Sequence, residues 1–437
     1  MANIAPFCAL RYDPAKVNLS NVVTQPYDKI TPEMREAYYA ASPYNLVRII
    51  LGKTKAVDNP GDNPYTRAAG FFAGWRKEGV LAPDPEPSIY LYVQRFTAPG
   101  APVEMERRGF IALGRIEEYS AGVVFRHEQT LAKPKADRLD LLRATRGHFG
   151  QIFMLYSDPA RDIDSLLLSP TAPADMETVD DHGVAHRVWR ISAPEVIEAV
   201  RKRMQQKKLI IADGHHRYET ALNYRNQRRA QAGGGTSGEA SAPFDWVMMT
   251  FVNMDAPGLV ILPTHRVVHG LASFSSSALR DDARKYFRVE EIDPAFDANR
   301  AAALLRKAGE GGTALLAVTA NRAFILDHPK AAGSDIFAGF SERQQGLDVV
   351  QLHKCLLEGV LGLSEESIRN QQNISYIRDV EEALGRVRRG AANVAFLMNP
   401  ARMEQIRDIA FAGEVLPQKS TDFYPKMLSG LTIYALE

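Results

Sequence analysis

Cysteine is scarce in this 437-residue chain: there are two, Cys8 and Cys355. Two thiols cannot build a disulfide framework or a four-cysteine zinc site, and they fit a reducing compartment. Net charge is equally slight, with 53 Lys and Arg against 52 Asp and Glu, a balance of +1. Such a balance argues against a surface-wide polyanion binder, nucleic acid included, and leaves room for a local basic pocket. No run of about 18 apolar residues occurs, so no membrane partner is expected. The opening MANIAPFCALRYDPAKV has no basic region followed by a long apolar run. No signal peptide is therefore expected, and the cytoplasm is the expected compartment. The GxxxxGK of a P-loop, the GxSxG elbow of a serine hydrolase and the HExxH of a zinc hydrolase are missing too.

What remains is an ordinary globular composition, 45% hydrophobic and 24% charged. At about 150 residues per domain the length suggests two to three domains. Strand and helix signals alternate, so the expected fold is α/β (α+β), with mixed sheets in two or more lobes. Ser88 to Phe96 and Gly109 to Ile116 read as strands of an antiparallel hairpin around PGAP. Thr31 is a plausible N-cap for a helix with Pro32 in its first turn, and residues 135–144 read as a second, amphipathic helix. KLIIA at 208–212 reads as a buried strand meeting a loop and then a helix. The Gly/Ser-rich stretch 231–242 is expected to be a mobile surface loop. Beyond it, strands are expected at 246–253, 258–262, 313–319, 323–326 and 393–398, and helices at 276–286, 294–307, 348–361, 380–388 and 401–410. The apolar tail 428–434 suggests a closing strand. This predicts an N-terminal lobe over 1–230 that carries the motif clusters, and a C-terminal lobe over 243–437 that completes the site.

Five polar clusters stand out. Asp213-Gly214-His215-His216-Arg217 follows the strand and opens the helix. A helix start offers unsatisfied N–H groups and the positive end of the helix dipole, which suits phosphate. Gly214 lets backbone approach a ligand closely, and Arg217 can grip two phosphate oxygens. Asp213 could orient a hydroxyl or hold a metal. His127-Glu128, with Thr130, Lys133, Lys135, Asp137 and Arg138 behind it, supplies further cations and a carboxylate. His265-Arg266 ends another strand. Lys419-Ser420-Thr421 lies in a polar stretch near the C-terminus, and Gln25-Pro26-Tyr27-Asp28 precedes the first helix.

Several blocks carry a resemblance. QPYDKIT at 25–31, SPYNLVRI at 42–49, HEQTLAKPKADRLDLL at 127–142, GVAHRVWRI at 183–191, IADGHHRYETAL at 211–222, PGLVILPTHRVV at 257–268 and LPQKSTDFYPKMLSGL at 416–431 resemble the domain-of-unknown-function (1015) family of bacterial proteins. The likeness covers almost the whole chain. Locally, ADGHHRYETA is similar to the Asp-Gly-His-x-Arg loop of the ParB/sulfiredoxin-like nucleotide-binding fold, whose members include free L-serine kinases. That resemblance implies phosphate contacts from Gly214, His215, His216 and Arg217, with Asp213 fixing the loop or Mg²⁺. Ala212 and Asp213 stand where sulfiredoxin has its cysteine, so sulfiredoxin activity is not expected.

The combined expectation is a phosphotransferase that uses ATP or ADP with Mg²⁺ and acts on a small hydroxylated metabolite, free serine being the best single guess. Lys133, Lys135, His265, Arg266, Lys419, Ser420 and Thr421 would join the nucleotide site. Glu128, Asp28 and Asp213 are the candidate catalytic carboxylates, with Asp213 also the candidate metal ligand. A nucleotide-binding regulator with little turnover and a phosphate-ester hydrolase are the alternatives.

Overall fold

The computed structural model describes residues 1–101, 103–128, 132–167, 172–231, 241–330 and 336–437, with only the backbone of residues 132–134. Within the loop expected at 231–242, residues 232–240 lie outside the described residues. The chain divides into two units. The first comprises Met1–Arg126, Thr130–Val260 and Pro425–Glu437; the second comprises His127–Gln129 and Ile261–Tyr424.

This division differs from a cut at the Gly/Ser-rich stretch, and strand pairing is the reason. Trp246–Asn253 pairs with Glu104–Arg115 on one side and Ile152–Tyr156 on the other, which ties it into the first unit. The tail joins the same unit through Ser429 on Thr24 and Ile433 on Leu10. Only Tyr434–Ala435 of the tail is strand, paired with Gly147–His148, so the expected closing strand is mostly buried irregular chain. Conversely, Leu416 N–H donates to the His127 carbonyl at 2.7 Å, which places that short segment in the second unit.

A nine-stranded mixed sheet organises the first unit. Its spatial order is Val124–Phe125, Leu209–Asp213, Ile152–Tyr156, Trp246–Asn253, Glu104–Arg115, Ile89–Thr97, Ala185–Ile191 and Met176–Val179, with Ile4–Ala5 also on Glu104–Arg115. The expected hairpin is present, with Tyr90 opposite Ile111 and Thr97 opposite Glu104. Alternate residues face opposite sides of a strand. Leu91, Val93, Ile152, Met154, Ile211 and Met249 share one apolar core with Val200, Met204 and Tyr218 of flanking helices. Tyr92 and Gln94 therefore point to the other side, where they meet a polar layer beneath the tail: Tyr92 Oη lies 2.7 Å from His186 Nδ1, and Gln94 Nε2 donates to the Lys426 carbonyl at 2.9 Å.

In the second unit a six-stranded sheet runs Arg288–Ile292, Ala323–Asp327, Ala314–Val318, Val394–Met398, His265–Val268 and Ile374–Ile377, antiparallel throughout. Both faces are covered. Leu315, Ala317 and Phe396 pack against Leu279, Leu352 and Leu356. Leu316, Ala395 and Leu397 pack against Ala301, Leu305, Leu384 and Val387. The helix expected over 348–361 begins as α over Asp348–Gln351 and continues as a π-helix over Leu352–Val360. Among the described residues no helix is long and apolar enough to cross a membrane.

Candidate functional site

The strand Leu209–Asp213 is an almost uninterrupted apolar run and is buried through Ala212. Gly214 breaks it. With φ at +94° it occupies a region that other residues adopt only with strain, and a Cβ there would lie 3.1 Å from the Arg217 guanidinium. The chain then turns directly into the helix His215–Gln231, whose first backbone bond runs from Tyr218 N–H to the Gly214 carbonyl at 2.9 Å. The first turn of N–H groups has no acceptor within the helix.

Charge converges on this turn. Arg217 Nη2 donates to Asp213 Oδ2 at 2.7 Å, and Lys426 Nζ donates to Asp213 Oδ1 at 2.9 Å. The other Arg217 Nη donates to the Gln151 carbonyl. Burial opposes ionisation of Asp213, yet Lys426, Arg217 and Lys29 together hold its carboxyl well below the usual carboxylate range. Arg107, fully buried beneath the tail, donates from Nε to Gln94 Oε1 at 3.0 Å and from Nη2 to the Pro425 carbonyl. Burial pushes its guanidinium down to about 9, with Tyr92 and Asp213 acting against that shift. One polar chain thus runs from the sheet through the tail to the turn.

Arg217 also forms part of a cavity wall. The cavity is half open to solvent, with about 550 Å³ of atom-free space counting its mouth, and Tyr27, Arg138, Gly150, Thr220 and Ser429 share its lining. Arg138 stacks over the Tyr27 ring at 4.2 Å. Burial, with Asp28 assisting, pushes the Tyr27 phenol up to about 12. A Cβ at Gly150 would lie 3.0 Å from Ser429 Oγ and 3.3 Å from Arg217 Nη1, so a larger residue there would press on both side chains. The structure therefore brings together the Gln25–Asp28 segment, the Asp213–Arg217 turn and the tail, as three edges of one pocket in the first unit.

The expected site residues are divided between the units. Asp28, Lys135 and residues 213–217 lie in the first; Glu128, His265, Arg266 and residues 419–421 lie in the second. The Lys133 side chain and Thr130 lie outside the described residues. Asp28 is exposed, on the short turn Tyr27–Lys29. His215 is buried and His216 half-buried.

Several of the expected site residues are engaged within the protein itself. Both Asp213 oxygens are engaged by cations, which opposes a metal-ligand or proton-acceptor role for this carboxylate. Lys135 is paired with Glu219 Oε2 at 2.8 Å, which takes up its charge. Arg266 is fully buried within a strand. It donates to the Thr264 carbonyl and, at 3.3 Å, to the Gln418 carbonyl, and stacks on Tyr376 at 5.0 Å. Burial pushes it down to about 10, against Tyr376 and Glu128, and pushes neighbouring His265 down to about 4. Thr421 N–H and Oγ1 both meet Glu128 Oε1 at 3.0 Å, while Thr421 Oγ1 lies 2.7 Å from His127 Nε2. Thr421 thus fastens the 127–128 segment to its own unit. Ser420 Oγ donates to the Pro417 carbonyl at 2.5 Å, and Lys419 is exposed with φ at +57°. Among the described residues no group of three or more His, Cys, Asp or Glu is placed to hold a metal.

Residues 4–350 match a family model described as protein of unknown function (DUF1015). The chain belongs to the DUF1015 family. The Asp213–Arg217 turn, the Gln25–Asp28 segment and His127-Glu128 all fall within the matched span, whereas Lys426 and Ser429 lie beyond it. No curated protein matches this DUF1015 chain. Among solved structures, it is similar to a free serine kinase variant in complex with AMP, at 13% identity and a TM-score of 0.35, covering 69% of this chain and 83% of that one. A conserved hypothetical protein from Pyrococcus furiosus is 12% identical, with a TM-score of 0.33 and coverage of 70% and 90%. SbnI with a C-terminal truncation, from Staphylococcus aureus, is 10% identical, with a TM-score of 0.34 and coverage of 73% and 85%.

Lys426 belongs to the polar C-terminal cluster that the sequence singles out, yet the sequence assigns it no role. It stands in the block LPQKSTDFYPKMLSGL, but its partner Asp213 is 213 positions away. The pair Pro425-Lys426 in the polar stretch near the C-terminus was the available signal. Gln151, just before the strand Ile152–Tyr156, and Arg107, inside the strand Glu104–Arg115, gave none.

Proposed function

We propose that the protein is a nucleotide-dependent phosphotransferase acting on a small hydroxylated metabolite, with free L-serine the best single candidate. The carrying observation is the Asp213–Arg217 turn: a left-handed glycine, a helix start and two cations beside a cavity. In this reading the nucleotide phosphates lie on the N–H groups that open the helix, with Arg217 in contact and Lys426 fixing the turn through Asp213. The local likeness of ADGHHRYETA to the nucleotide loops of ParB-like proteins supports the same placement.

Phosphoryl transfer asks mainly for positioning and charge neutralisation. Arg217 and Lys29 supply positive charge near the turn. Asp28, exposed on the neighbouring turn, would take the proton from the attacking hydroxyl as the new P–O bond forms and the bond to the leaving diphosphate breaks. Glu128 and Lys419 belong to the second unit and are assigned no step. ATP or ADP fits the turn by charge. Mg²⁺ does not fit Asp213, whose oxygens are already neutralised, and no step is assigned to it.

A regulator with little turnover is the second reading. The double clamp on Asp213 favours it, since that carboxylate is withdrawn from acid–base chemistry. Turnover separates the readings. The protein is incubated with ATP, with and without L-serine and with and without Mg²⁺, and ADP, phosphate and phosphoserine are followed by ³¹P NMR. Serine-dependent ADP and phosphoserine support the kinase. Phosphate release without acceptor supports a hydrolase, and absence of turnover despite binding supports the regulator.

A further inference from the structure

The second unit carries a cavity of its own, with about 1310 Å³ of atom-free space. It opens where the helix Ala298–Gly309 ends and the helix Met403–Phe411 begins. Arg306 and Arg402 line it, and neither has an ion-pair partner among the described residues. Asp348 lines it as well, half-buried, with Thr313 and Ala314 donating to its carboxyl. Burial lifts that carboxyl to about 7, against the charge of Arg402. Glu310 and Ser420 complete the charged and hydroxyl-bearing wall.

An exposed arginine alone is ordinary. Two arginines without ion-pair partners among the described residues line a cavity that also holds a half-buried carboxyl, so its wall carries charges of both signs. The lining holds two guanidinium groups and two carboxyls, so a polyanion gains little there. A molecule with one anionic end and one ammonium end satisfies both sides. The start of the helix Met403–Phe411 favours the anionic end near Arg402, and a guanidinium grips a carboxylate through two N–H groups. We propose that this cavity binds a small zwitterion of the amino-acid class, its carboxylate towards Arg306 and Arg402 and its ammonium towards Asp348. Its lining shares no residue with the cavity beside the Asp213–Arg217 turn, and the proposal does not rest on the nucleotide reading.

Isothermal titration calorimetry on the full chain tests this, with L-alanine and L-glutamine as probes and propionate and ethylamine as single-charge controls. At least one amino acid is expected to bind saturably, and each control at least about tenfold more weakly, the scale of one lost charge-assisted contact. Arg402→Ala, at an exposed position, and Asp348→Asn, which keeps the acceptor oxygen, should each weaken amino-acid binding by about tenfold. Arg217→Ala should leave it unchanged, which separates this site from the proposed nucleotide turn. Absence of saturable binding by both amino acids, equal binding of propionate, or unchanged affinity in both cavity variants overturns the proposal.

Discussion

Arg217, in the first turn of a helix of the first unit, and Arg266, within a strand of the second, each follow a histidine, and they are used in opposite ways. Arg217 lies beside a cavity, with Asp213 on one side and a carbonyl on the other. Arg266 is enclosed in a sheet, held by carbonyls and an aromatic ring. A carboxylate and a phosphate are interchangeable partners for a guanidinium at an accessible wall. A cation sealed against carbonyls has been desolvated already and offers nothing to a ligand. What separates the two is the next step of the chain: Gly214 turns the first out of its sheet, whereas the second continues as Val267 and Val268 into buried strand.

Substitution at both arginines should break the comparison if it is wrong. Arg266→Ala removes the donor from the buried Thr264 carbonyl and the half-buried Gln418 carbonyl and leaves a void. It should cost about 3 kcal/mol of unfolding free energy, read by urea titration, with nucleotide affinity of the folded fraction unchanged. Arg217→Ala should weaken nucleotide binding by about 100-fold, roughly 2.7 kcal/mol, with a smaller loss of stability. The reverse pattern, stability lost at 217 and binding lost at 266, would exchange their roles.

Lys426→Met sharpens the same point. It leaves Asp213 with one cation in place of two, so nucleotide affinity should fall by about tenfold through disorder of the turn. A variant that bound normally would confine Lys426 to holding the tail. Thr421→Val should lower stability by about 1 kcal/mol without touching nucleotide affinity, since its hydroxyl serves Glu128 and His127.

Acid should act on the two regions differently at these positions. The Asp213 carboxyl is depressed, so its contribution is complete above the unfolded value of about 3.9 and is lost only as pH falls through the lower folded value. Between pH 5 and 8 the clamp should therefore be constant. His265 is buried neutral, with its pKa lowered to about 4. The unfolded imidazole protonates near 6.5, so stability drops as pH falls from about 6.5 towards 4, by at most about 3 kcal/mol. His265→Gln should flatten that part of the pH–stability profile. An unchanged slope would remove His265 from the acid response.

Local structure was largely legible in the sequence because it rests on local rules. Thr31 caps the helix Pro32–Ala41 by accepting from Met34 N–H, and the hairpin strands follow their β-branched and aromatic runs. The turn at Gly214 was legible for the same reason, since a strand, a glycine and a helix start are consecutive. Assembly was not. Neither the placing of Trp246–Asn253 between two strands of the first half nor the capture of His127 by Leu416 leaves a local mark. The His-Arg pair at 265–266 and the lysine at 135 looked like ligand contacts because residue type alone cannot show that a charge is already spent on Thr264, Gln418 or Glu219.

The most direct test of the nucleotide turn is isothermal titration calorimetry of ADP and ATP, with and without Mg²⁺, against the wild type and Arg217→Ala, with near-UV circular dichroism showing that the variant is folded. Micromolar binding by the wild type that disappears in the folded variant is the expected result. Equal affinity in both, or no binding by the wild type, would contradict a phosphate site at Asp213–Arg217.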